Sequence, residues 1–122
     1  MDRVFLAMGA LFGFISVAGG AFGAHALKQR LGADMLAVFE TGARYQMYHA
    51  LALVLVGVLL GRGESRALTL SGWLFVAGTL LFSGSLYALA LSGVRGLGAV
   101  TPLGGLAFLG GWALLALSAL RG

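Results

Sequence analysis

From Phe39 to Leu60 the chain reads FETGARYQMYHALALVLVGVLL. From Ala50 onward this stretch carries no polar side chain. In a bilayer a run of that kind is helical, because lipid offers no partner for an exposed backbone amide. The first half gathers Glu40, Thr41, Arg44, Tyr45, Gln46, Tyr48 and His49 at the mouth of the apolar run. The starting unit is therefore a membrane helix with a polar collar at one end.

The rest of the chain extends that reading. Of 122 residues, 60% are hydrophobic and only 10% are charged, and the mean hydropathy is +0.99. A water-soluble domain of this size needs more charge to cover its surface, so the class is integral membrane protein. The length accommodates one domain. Four runs approach the ~20 apolar residues that cross a bilayer: residues 4–24, 45–60, 68–91 and 102–120. The loops GRGESR and SGVRGLGAV are short, so successive helices should be antiparallel. The expectation is an all-α, antiparallel four-helix bundle. Thr101 is placed to cap the fourth helix, and Pro102 suits its first turn, where a missing N–H costs nothing. Ala24-His25-Ala26 looks like a signal-cleavage site, but the preceding apolar run is longer than a signal core, and it is read as a retained helix.

The one long connection, residues 27–44, is expected to hold a short amphipathic helix at the membrane interface. Asp34 would cap it, and Met35, Leu36 and Phe39 would line one side.

Charge and cysteine content remove several functions. With no cysteine, there is no disulfide, thiolate metal site or cysteine nucleophile. The net charge of +4 is spread over short loops, and reads as Lys/Arg beside anionic lipid, with no nucleic-acid face. Arg3, Arg62, Arg66 and Arg121 fall on one side, and Lys28, Arg30, Arg44 and Arg95 on the other. This tie leaves orientation undecided.

Two patterns carry the candidate sites. In the first span, Gly9, Gly13, Ser16, Gly20 and Gly23 recur every three or four residues and form one narrow stripe. Small stripes let membrane helices approach closely. Packing within the bundle is the first reading of this stripe, and a contact between copies the second. Antiparallel topology also collects His25, Glu40, Thr41, Arg44, Tyr45, Gln46, His49, Ser83, Ser85, Tyr87 and Thr101 at one membrane face.

Within that cluster Glu40 and Arg44 are four apart, the favourable order for a helix ion pair. Tyr45 and Tyr48 read as interfacial anchors. Ser83 and Ser85 should find a carbonyl or a neighbouring helix. His25 and His49 are near enough the same face to share a ligand, a proton relay or a haem. Yet there is no HxxE, ExxH or third nitrogen ligand, and no GxSxG turn. No catalytic residue, metal or cofactor is assigned.

The segments GGAFGAHAL, FETGARYQMYHALAL, LFSGSLYALALSG and TPLGGLAFLGGW, in order across nearly the whole chain, resemble the YgdD/YwdK family of small bacterial membrane proteins, a domain-of-unknown-function family. The resemblance implies a four-helix protein of the bacterial inner membrane and no particular activity. It picks out Gly23, His25, Glu40, Thr41, Gly42, Tyr45, Gln46, His49, Ser83, Gly84, Ser85, Tyr87, Thr101, Pro102 and Gly105.

Three functional readings follow. The first is a non-catalytic component that packs with lipids, a second copy or a membrane-protein partner. The second is a small transporter or channel with a shallow one-sided vestibule, although the spans hold no Asp, Glu, Lys or Arg. The third is an intramembrane enzyme using His25, Glu40, Tyr45 and His49 as acid–base groups.

Overall fold

The structure, a computed structural model, describes residues 1–121. Among these, four helices are long and apolar enough to cross a membrane: α1 (Asp2–Leu27), α2 (Ala33–Arg62), α3 (Arg66–Ser92) and α4 (Arg95–Arg121). At 1.5 Å per residue they run about 39–45 Å, more than the ~30 Å hydrocarbon core. The links between them are short, and the helices form the expected antiparallel bundle.

The boundaries follow local chemistry. Ser65 starts α3 by accepting the Leu68 amide on its hydroxyl at 3.2 Å. Gly93 ends it in the left-handed conformation, φ 73°, donating its amide to Leu89 at 2.8 Å. A 3-10 turn, Arg95–Ala99, leads into the α-helical part of α4, which begins at Thr101 with Pro102 in its first turn.

Three local expectations change. The segment expected as a separate interfacial helix is helical, but residues 33–44 run unbroken into the span as the first turns of α2. Neither a proline nor an unpaired backbone group interrupts it, and Gly42 is covered by Tyr87 and Leu86 of α3. Asp34 lies inside the first turn of α2, after Gly32, and does not cap with its side chain. There its charge still complements the helix dipole. Thr101 does not cap α4 either: it is the first residue inside the helix, the Leu103 and Gly104 amides go to the Val100 carbonyl, and its hydroxyl pairs with Ser85 at 2.6 Å.

The most apolar parts of α2 and α3 are 50% and 44% buried against protein, those of α1 and α4 only 17%. Hence α2 and α3 form the centre, with α1 laid along α2 and α4 along α3. The main core stacks Phe5, Leu53, Val56, Phe75 and Phe108, and a smaller one gathers Ala24, Phe39 and Ala90 near the polar face. Two approaches require glycine. A Cβ on Gly9 would lie 2.8 Å from the Ala50 carbonyl of α2. One on Gly104 would lie under 3.0 Å from the backbone of Phe82 in α3. Each of α1 and α3 also contains one wide π turn, Ala18–Gly23 and Thr79–Ser83.

Candidate functional site

Most of the polar face is consumed in tying helices together. A helical carbonyl keeps a second lone pair after its own helix bond, and where small residues bring backbones close, a side chain can reach it. Ser16 of α1 donates to the Ala43 carbonyl at 2.6 Å, and Ser83 of α3 to the Gly42 carbonyl at 2.7 Å. In the reverse direction, Gln46 of α2 donates through Nε2 to the Phe12 carbonyl at 2.9 Å. Its Oε1 accepts the Tyr87 hydroxyl at 2.7 Å. The same device joins α3 to α4, where Ser71 donates to the Gly111 carbonyl at 2.7 Å. These buried polar groups are thus satisfied without a charge entering the hydrocarbon. The hydroxyl of Thr79, in the π turn of α3, is buried without a partner among the described residues.

His49 is the connection from α2 to α4. Its Nδ1 lies 2.7 Å from the Tyr45 carbonyl, and the indole Nε1 of Trp112 lies 3.1 Å from its Nε2. An indole N–H can only donate. Nε2 is therefore the acceptor, and the proton of the neutral ring sits on Nδ1, donated to Tyr45. The ring lies flat on Phe108, with centroids 3.5 Å apart and planes within 6°. Both nitrogens are engaged, so neither is free for a metal or a relay.

The cluster drawn from the sequence therefore divides. Gln46, Ser83 and Tyr87 meet with Ser16 at one junction, Tyr45 and His49 form a second with α4, and Ser85 pairs with Thr101. Thr41 returns its hydroxyl to the Ala37 carbonyl at 2.9 Å, within its own helix. His25, Glu40 and Arg44 are exposed. The expected Glu40–Arg44 ion pair does not form: among the described residues the one ion pair joins the Met1 amino group to Asp2 at 3.9 Å. At the wet end of α2 each charge is solvated, and such a pair gains only a few tenths of a kcal/mol. The small stripe faces α2: Gly9 meets Val54 and Ala50, Gly13 meets Ala50 and Met47, Gly20 meets Ala43 and Gly23 meets Phe39.

Sequence reasoning missed Phe82, Phe108 and Trp112. The available signal was on α4, where Phe108 and Trp112 are four apart and so share a face, with Gly104 one turn before Phe108 and Gly111 between the two.

Beside His49 a groove of about 810 Å³ opens laterally between α2, the π turn of α3, and α4. Tyr45, Tyr48, Phe82, Pro102, Leu106 and Trp112 line it, with His49 and Phe108 also contributing. Tyr45 and Phe82 are in contact across one wall, centroids 4.9 Å apart. From Pro102 to Trp112 the groove follows ten residues of α4, about 15 Å at the helical rise. That is the depth of one leaflet, half of the ~30 Å hydrocarbon core.

A family model described as "Protein of unknown function (DUF423)" matches residues 19–105. Over 120 residues the chain is 46% identical to the UPF0382 inner membrane protein YgdD of Escherichia coli (strain K12), covering 98% of this chain and 92% of that protein. It is 42% identical to the UPF0382 membrane protein YwdK of Bacillus subtilis (strain 168), with 98% of each chain covered. It is also 45% identical over 119 residues to the UPF0382 membrane protein SH2409 of Staphylococcus haemolyticus (strain JCSC1435), covering 98% of this chain and 97% of that one. No solved structure matches at significance.

Proposed function

Starting from the fact that this chain belongs to the DUF423 family and is a multi-pass protein of the bacterial cell (inner) membrane, we propose that it is a non-catalytic lipid-binding protein. The groove beside His49 holds one acyl chain. The observation that carries this reading is the groove itself: it is walled by aromatic and aliphatic carbon, about one leaflet deep, and open sideways where lipid lies. An acyl chain is the occupant whose chemistry and length match such a wall. Tyr45 and Tyr48, both substantially exposed, stand at its rim, where tyrosine favours the boundary between hydrocarbon and headgroup.

The acid–base reading has less support. His25, Glu40 and Arg44 are exposed and do not line the groove, and His49 is occupied at both nitrogens. That leaves only the tyrosines Tyr45 and Tyr48 as acid–base groups on the groove wall among the described residues.

Gly105 lines the groove, and a Cβ there meets nothing within 4 Å. Gly105→Leu should therefore fill the space without disturbing the bundle. Native mass spectrometry after mild-detergent purification, with phosphatidylcholine supplied, is the test. Wild type should retain lipid that Gly105→Leu has lost. Equal retention by the two proteins, or none by wild type, would overturn the reading.

A further inference from the structure

At the opposite membrane face the turn between α2 and α3 lies beside the last turn of α4. A cavity of about 610 Å³ forms there, lined by Arg62, Arg66 and Arg121 together with Glu64, Ser65 and Ser118. We propose that this cavity binds a phosphate-bearing anion, independently of the acyl groove.

Three observations carry this inference. The three arginines converge on one concavity, and none lies within 4.0 Å of a carboxylate among the described residues, Glu64 included. Two of them are explained by their own helices: Arg62 and Arg121 stand in the last turns of α2 and α4, where the dipole favours a cation. Arg66 is not. It occupies the first position of α3, whose first turn holds no acidic residue, so its charge adds to the positive end of the helix. An arginine set against the dipole and beside two others is stabilised by an anion between them.

The backbone adds to this. Ser65 takes the Leu68 amide on its hydroxyl and the Thr69 amide on its carbonyl. That leaves the amides of Arg66 and Ala67 without an acceptor among the described residues, aimed as the first amides of a helix are. Guanidinium forks and helix-terminal amides together match phosphate oxygens better than a carboxylate or halide.

The phosphate can come from a lipid headgroup or from solution, and the experiment separates the two. Phosphatidylglycerol and phosphatidylcholine of identical chains are titrated onto the purified protein in neutral detergent and read by native mass spectrometry. Inorganic phosphate is titrated in parallel and read by thermal unfolding. Arg66→Gln should weaken phosphatidylglycerol binding about fivefold, and the triple variant Arg62→Gln/Arg66→Gln/Arg121→Gln roughly a hundredfold, at the usual worth of one arginine near an anionic surface. Phosphatidylcholine retention should not change, which keeps this result separate from that of the acyl groove. Stabilisation of wild type by inorganic phosphate, absent in the triple variant, would identify a soluble anion as a ligand. A response to phosphatidylglycerol alone would identify the lipid.

The proposal falls if the triple variant binds both probes as wild type does. It also falls if Arg30→Gln/Arg95→Gln, on the other face, loses as much. All three arginines are exposed, so folding should survive; if the triple variant unfolds, Arg66→Gln alone decides.

Discussion

Tyr87 of α3 donates its hydroxyl to Oε1 of Gln46 in α2 at 2.7 Å, while the other end of that amide holds the Phe12 carbonyl of α1. One side chain thus spans three helices. Gln46→Leu should destabilise the protein by about 1–3 kcal/mol, two bonds at up to about 1.7 kcal/mol each in a membrane. Tyr87→Phe should cost roughly half of that. Reversible unfolding in mixed micelles measures both, and the double variant should reveal a coupling of about 0.6–1.7 kcal/mol. Strictly additive effects would mean the bond contributes nothing.

Gly104 and Gly105 are neighbours with opposite surroundings. A methyl on Gly104 meets the backbone of Phe82, whereas one on Gly105 meets open space. Gly104→Ala should cost about 1–3 kcal/mol by forcing α3 and α4 apart. Gly105→Ala should be neutral or slightly stabilising, since alanine is the better helix former by about 1 kcal/mol. Thermal unfolding of the two variants side by side gives the comparison.

The hydrogen bonds of His49 fix its tautomer. Nitrogen NMR of labelled protein should find Nδ1 protonated and Nε2 bare, with the Nε2 resonance moving in Trp112→Phe. Removing that indole leaves the buried acceptor without its partner, at a cost of about 1–3 kcal/mol. A ring protonated at Nε2 alone would be incompatible with the Trp112 contact.

Glu40 and Arg44 are exposed and unpaired with each other. Glu40→Gln and Arg44→Gln should each change stability by no more than about 0.5 kcal/mol. A loss above 2 kcal/mol in either unfolding curve would contradict the solvated placement.

The class and the four spans were legible because hydropathy determines them. The small stripe was legible as a close-packing face, and it lies along α2. What the polar residues hold was not. Ser16, Gln46, Ser71 and Ser83 bond to carbonyls of Ala43, Phe12, Gly111 and Gly42, and a carbonyl has no letter of its own in a sequence. The Glu40–Arg44 spacing allowed an ion pair, but spacing does not weigh solvation. The aromatic setting of His49 depends on how α4 is rotated against α2, which the glycines of α4 permit without announcing. Local hydrogen bonding to Tyr45 was within reach; the stack on Phe108 was not.

The π turn at Thr79–Ser83 makes the length of α3 as informative as its composition. A π turn holds one residue more than the α-helical turn it replaces, so deleting one residue inside it would restore regular helix and leave everything beyond it in phase. Deleting one residue from the regular helix before it would instead swing the rest by about 100°. In the second case Ser83, Ser85 and Tyr87 would leave their partners together, though none had been replaced. A single-residue gap between Arg66 and Gly78 is thus equivalent to several substitutions at once, while one within Thr79–Ser83 is absorbed, and alignments of relatives should weigh indels in α3 by which of the two they are.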